Sequence, residues 1–197
     1  IKYDPATKTL TFKNIPIERT GSYNRAILNE DVDGLKIVFL GKNELSAEDS
    51  SPVRLNNNTT ITVPEGGELR VFGGDEDGIT VGNGKTLIFD NVYDRSVSAS
   101  NSNGIEGATG KENLIVRNNS CVKAFGHGEN HNGVYDFASL TVSDSYFDVV
   151  GYAYAIEKLG SFTHEGAYPR VVGTGYNASA KRFGAFGCKV IGVDLYP

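Results

Sequence analysis

The sequence predicts an all-β fold: a right-handed single-stranded parallel β-helix, or β-solenoid, of six rungs of about 26 residues with a C-terminal cap. Three observations carry this expectation. An apolar-x-apolar strand start recurs at Leu10-Thr11-Phe12, Leu35-Lys36-Ile37, Ile61-Thr62-Val63, Leu87-Ile88-Phe89, Leu114-Ile115-Val116 and Leu140-Thr141-Val142, with steps of 25, 26, 26, 27 and 26 residues. A second apolar strand follows at Ile17, Leu45, Leu69, Val97, Val122 and Phe147, and a third is centred on Ile27, Val53, Ile79, Ile105, Val134 and Ile156. Gly/Asn/Asp/Ser clusters separate them. A fixed period in this range marks stacked units that cannot bury their apolar faces alone, and three short alternating strands per unit form the three sides of a coil.

The first strands should stack Leu10, Leu35, Ile61, Leu87, Leu114 and Leu140 in one inward column. Parallel pairing at ~4.8 Å per rung gives a rod roughly 29 Å long. The third strands are each preceded by a small or cyclic residue, Ala26, Pro52, Gly78, Gly104, Gly133 and Ala155. Such a column fits a tight corner, where a large side chain would meet the next rung or where φ > 0 is needed. A partial asparagine column (Asn14, Asn43, Asn91, Asn118), interrupted by Gly67 and Asp144, is expected at the first corner, because Asn tolerates left-handed backbone and its amide can bond the turn. Outward residues of the third strand are Leu28, Arg54, Thr80, Glu106, Tyr135 and Glu157, and those of the second are Glu18, Ser46, Arg70, Ser98, Lys123 and Asp148. Mixed charges and hydroxyls of this kind read as a solvated wall. The outward first-strand residues Ile88 and Ile115 make an apolar centre, to be covered by a loop or left as a modest contact patch.

One elongated domain is expected, with rungs over 1–161 and a capping segment over 162–197. No Pro/Ser linker or composition break divides the 197 residues. The tail loses the repeat and is rich in Gly, Tyr and Phe: 12 of the 20 Phe/Tyr residues lie from 135 onward, which suits a cap with a final strand near Lys189-Val190-Ile191. Residues 1–7 are too short to cover the other end, which points to a preceding segment. The net charge of −5, with both signs interspersed, lacks the clustered basic surface that nucleic acid requires. No stretch approaches the ~18–20 apolar residues of a membrane span. Cys121 and Cys188 form no metal motif; a disulfide pinning the tail and two buried thiols both fit.

A set of motifs adds to this. Tyr3-Asp4-Pro5 followed by Thr9 to Phe12, the run Leu35 to Leu45, Asn57 to Val63, Gly104 to Val116 and Gly151 to Ile156 together resemble the secreted and lipoprotein right-handed β-helix domains of gut and oral Bacteroidetes, some of them described as carbohydrate-binding. The resemblance covers residues 1 to about 161. It implies export, to the medium or the outer cell surface, as part of a longer protein, with a polysaccharide or a host or matrix surface as partner. It carries over no catalytic residue, and the expectation is a non-catalytic glycan-binding or adhesive module, the alternatives being a carbohydrate-active enzyme and a purely structural spacer.

The enzyme alternative starts from Gly126-His127-Gly128, which resembles the triplet of polygalacturonase-type β-helix hydrolases. Those enzymes set aspartates on neighbouring rungs, and inverting hydrolysis needs one carboxyl as acid and another to activate water. Here no Asn-Thr-Asp or Arg-Ile-Lys equivalent accompanies the histidine, so a polyuronate hydrolase or lyase would need a site of a different pattern. Two acidic loops, Glu30-Asp31-Asp33 and Asp75-Glu76-Asp77, offer Asp31, Asp33, Asp75 and Asp77 as candidate Ca²⁺ ligands, although neither has a known loop spacing. No other cofactor is expected. Sugar binding needs aromatic faces rimmed by hydrogen-bonding groups. With no Trp in the chain, the candidates are Tyr135, with His127, Asn130, His131 and Asn132 beside it, and Tyr152 and Tyr154 one rung on. Asn130 to Asn132 lie in the longest departure from the period, where solenoids collect binding loops.

Overall fold

Strand pairing turns this chain into a parallel β-solenoid of about six turns, without helices among the described residues. The computed structural model describes residues 1–93 and 102–166 and, as backbone, 170–175 and 194–195. No helix is long and apolar enough to cross a membrane.

Three faces run along the rod. The first is built from Thr9–Lys13, Leu35–Leu40, Thr59–Val63, Thr86–Val92 and Asn113–Arg117, and continues through the second halves of Val134–Ser143 and Ile156–Glu165. The second comprises Pro16–Arg19, Lys42–Ala47 and Glu68–Gly73, then Cys121–Gly126, Tyr146–Gly151 and Arg170–Gly175. Val97 and Ser98, expected between these two sets, lie outside the described residues. The third face stacks Ile27–Asn29, Val53–Leu55, Ile79–Val81 and Ile105–Gly107 on the first halves of Val134–Ser143 and Ile156–Glu165. Alternation sends one apolar residue in two inward, so a single core of Leu, Ile, Val and Phe fills the coil.

The third-strand column is the one expected, in unbroken register from Ile27 to Ile156. The first-strand column differs. Leu87, Leu114 and Leu140 do stack, but their partners toward the N-terminus are Thr59 and Leu35, whereas Leu10 and Ile61 stand in the next column beside Ile37, Phe89, Val116 and Val142. A polar residue, Thr59, therefore occupies a core position. It is 2% exposed, accepts a hydrogen bond from Asn29 Nδ2 at 3.0 Å and donates to Asn57 O at 2.9 Å, so its hydroxyl is satisfied there. On the second face Leu69 pairs Asn43, and Val71 takes the place beside Leu45.

At the first corner Asn14, Asn91, Asn118 and Asp144 all take left-handed backbone, with φ of 53°, 54°, 57° and 42°. Asp144 thus continues the asparagine column. Asn43 departs from it: the left-handed position in its turn is Gly41, where a Cβ would lie 2.0 Å from Asn14 Oδ1. Asn43 is instead buried, accepting from Ile15 N and donating to the Leu40 and Gly41 carbonyls.

Two differences concern the ends. Residues 2–4, expected to do little, pair antiparallel with Thr9–Lys13 and cover that strand's open edge. The repeat also runs past residue 161: Ser161 to Glu165 pair in register with Ser139 to Ser143, and Arg170–Gly175 pair with Tyr146–Gly151. Asp194–Leu195 add a further parallel strand. Lys189 to Ile191 and Cys188 lie outside the described residues, and Cys121 is half-buried.

Candidate functional site

Strand alternation places Leu28, Arg54, Thr80, Glu106, Tyr135 and Glu157 on the outer surface of the third face, each directly beside the next. The corner leading into this face is tight because of close approach, not left-handed backbone. A Cβ on Gly104 would meet Gly133 O at 2.6 Å, and one on Gly133 would meet Val149 Cγ1 at 2.4 Å.

Just ahead of these glycines, a buried polar ladder crosses the rungs. Asp77 Oδ1 accepts from Ser102 Oγ at 2.9 Å and Asn103 N at 3.1 Å; Asn103 Oδ1 accepts from Asn132 N at 2.8 Å; Asn132 Oδ1 accepts from Tyr154 N at 3.0 Å. Each step satisfies a backbone N–H that the corner would otherwise leave unpaired. The same amides fix two carboxylates of the outward row: Asn103 Nδ2 donates to Glu106 Oε2 at 2.6 Å, and Asn132 Nδ2 to Glu157 Oε2 at 3.1 Å.

Glu106 is the electrostatic outlier of the face. Burial, reinforced by the charge of Asp77, a hydrogen bond with Asp77 and the charge of Asp136, pushes its carboxyl up to about 8, against the opposing pull of the Asn103 amide. Glu106, with Asp77 beside it, therefore keeps its proton at neutral pH. The two side chains border a polar groove of about 540 Å³ whose lining includes Arg25, Ser51, Arg54, Asp77, Thr80 and Glu106. Ser51 and Thr80 share a hydroxyl hydrogen bond of 2.7 Å across its floor.

The residues expected to bind ligand divide among different roles. Tyr135 is half-buried in the outward row, as its register requires. Lys158 donates a hydrogen bond to its hydroxyl and sits 4.6 Å from the ring centroid, and that hydrogen bond holds the lysine above its ordinary pKa. His127 is exposed at the corner, edge-on to Tyr152 at 4.7 Å and tilted against Phe125 at 5.9 Å. Asn130 is exposed at the loop tip, and Tyr154 is 36% exposed. His131 ties the loop to the next rung through its carbonyl, which accepts from Ala153 N. Asn132 is a correction: at 1% exposure it belongs to the ladder, its amide consumed by Asn103, Glu157 and Tyr154, so it offers nothing to a surface ligand.

The four aspartates considered for Ca²⁺ lie at two different corners. Asp31, Asp33 and Asp75 are exposed, with Asp33 accepting from Asn58, while Asp77 is buried in the ladder. Among the described residues no group of three or more His, Cys, Asp or Glu side chains is placed to hold a metal ion.

Sequence reasoning read Arg54 and Glu106 as a solvated wall and passed over Arg25. The usable signal was the coincidence of an outward acid with an Asp/Asn-Gly corner in the neighbouring rungs. Fold and site together define a parallel β-solenoid with a carboxyl-paired polar groove on one face. No family model, curated protein or solved structure matches the chain.

Proposed function

We propose that this chain is a non-catalytic module of a secreted or cell-surface protein that binds a linear glycan along its third face. The observation that carries the reading is the unbroken outward row from Arg54 to Glu157, which opens into the polar groove at one end and holds Tyr135 toward the other. Row and polymer both repeat along one axis. The groove has the size of small-molecule sites, and its hydroxyls, carboxyls and guanidinium groups match sugar hydroxyls. Tyr135, with Tyr154 and the His127–Tyr152 pair at the adjoining corner, supplies the ring surface that sugar C–H faces prefer. A matrix or host polysaccharide is the partner this chemistry fits.

A glycan array, run with and without Ca²⁺, tests the reading. For a glycan so identified, Tyr135→Ala is expected to weaken binding about three- to tenfold while the melting temperature stays nearly unchanged, as for most surface positions. Affinity that survives this change moves the site to the Tyr152 and Tyr154 end.

Glu106 favours a second reading, a carbohydrate-active enzyme, because a carboxyl that stays protonated near neutral pH beside a groove can act as a general acid. That reading requires release of reducing ends or unsaturated products from an acidic polysaccharide, and their loss in Glu106→Gln. The binding reading expects no turnover.

A further inference from the structure

We propose that the groove on the third face holds the oxyanion of an acidic sugar, a carboxylate or a sulfate, between Arg25 and Arg54. This rests on the glycan-binding reading and names the class of sugar. The other groups of the groove explain why these two arginines remain for a ligand.

Elsewhere on the walls, arginines pair within the rod: Arg70 with Glu68 at 2.5 Å and Arg117 with Asp90 at 2.8 Å. Arg25 and Arg54 share the groove with Asp49, Glu76, Asp77 and Glu106, yet neither makes an ion pair among the described residues. Asp77 is turned to Ser102 and Asn103, and Glu106 is held by Asn103. Asp49 and Glu76 are exposed, where water screens them. Arg54 Nε donates only a long bond of 3.3 Å to Asn56 Oδ1, and Arg25 Nη1 one of 3.3 Å to Tyr23 O. Arg25 Nε is buried with no hydrogen-bond partner. A buried N–H left unpaired is costly and calls for an acceptor.

The guanidinium fork matches a planar oxyanion in geometry and charge. The carboxylates that share the groove do not occupy the two guanidinium groups: Asp77 is turned to the ladder, and Asp49 and Glu76 are exposed to water. The Glu106 carboxyl and the Thr80 hydroxyl line the same groove, and each keeps bonding capacity beyond its contact with Asn103 or Ser51 for hydroxyls of the same sugar.

Isothermal titration with a short oligogalacturonate, its methyl ester, a sulfated galactan oligomer and a neutral galactan oligomer tests this. At least one anionic oligomer should bind about tenfold or more tightly than its uncharged counterpart, and which one does so separates carboxylate from sulfate. Arg25→Gln and Arg54→Gln should each lose about tenfold for that oligomer, the scale of one charge-assisted hydrogen bond, with no change for the uncharged one. If Arg25→Gln fails to fold, Arg54→Gln, at an outward position of the third face, decides. Equal binding of charged and uncharged forms, or affinity unaffected by the arginine changes, overturns the inference and leaves glycan binding standing. No binding of any of the four oligomers, together with a blank array, removes both.

Discussion

Leu87→Ala is expected to lower the unfolding free energy by about 2–5 kcal/mol, the range for truncating a buried leucine. Leu87 is 0% exposed and lies between Thr59 and Leu114 in the inward column of the first face. The strands above and below are fixed by ladder hydrogen bonds along their length, so the lost volume can be filled only by shifting two rungs. Its chain neighbour Ile88 points outward and is half-buried between Thr60 and Ile115. Ile88→Ala should cost clearly less, under about 1 kcal/mol, because little apolar area changes its exposure. Urea unfolding of the two variants measures the contrast. A loss below about 0.5 kcal/mol for Leu87→Ala would mean that the inward assignment is wrong.

The second large effect is in pH dependence. Glu106 titrates at about 8 in the folded chain, against an ordinary value of 4.5. Its folded pKa is raised, so the folded state holds the proton more tightly than the unfolded state. The associated stability is complete below about pH 4.5 and is lost as pH rises through 8. Allowing for solvent screening of a partly exposed group, the loss is on the order of 2 kcal/mol. A glutamine at this position keeps an acceptor for Asn103 and a donor for Asp77 without titrating. Thermal melts between pH 5 and 9 should show the wild type falling relative to Glu106→Gln from about pH 5 to about pH 8 and running parallel to it above that. Curves parallel over the whole range would remove the proton retained by Glu106 from the account.

Much of the fold was legible because strand period and turn residues agree with each other, as they do in sequences that specify one structure. The third strand was read in full: a small or cyclic residue followed by Ile or Val recurs there in every turn, and all five pairings of the six strands hold. The first strand was misaligned at Leu10 and Ile61 because apolar residues alone were used to align it. Thr59, polar and inward, is invisible to that criterion, since only the neighbouring corner, through Asn29, makes it tolerable. Leu69 was misplaced for the same reason, its partner being the buried amide Asn43.

The site was half legible. Tyr135's outward direction followed from alternation, and the corner loop before it was marked by its length. The ladder of Asp77, Asn103 and Asn132 was hidden because Asp or Asn before Gly reads equally well as an exposed turn. Only rung stacking buries these three side chains and, through Asn103, holds Glu106 over the groove. Arg25 stands two residues before Ile27, at the column position that Asp77, Asn103 and Asn132 hold in later rungs, but the residue type changes along that column, so no periodic signal marked it as lining the groove with Arg54.

The central claim is that the third face is the ligand surface, and chemical-shift mapping on the isotopically labelled chain tests it most directly. Titrated with a glycan from the array, the amides of Arg54, Thr80, Glu106 and Tyr135 should shift together and saturate at one affinity. Shifts confined to Lys36, Thr60 and Ile88 on the first face, or to Glu44 and Arg70 on the second, would contradict the claim.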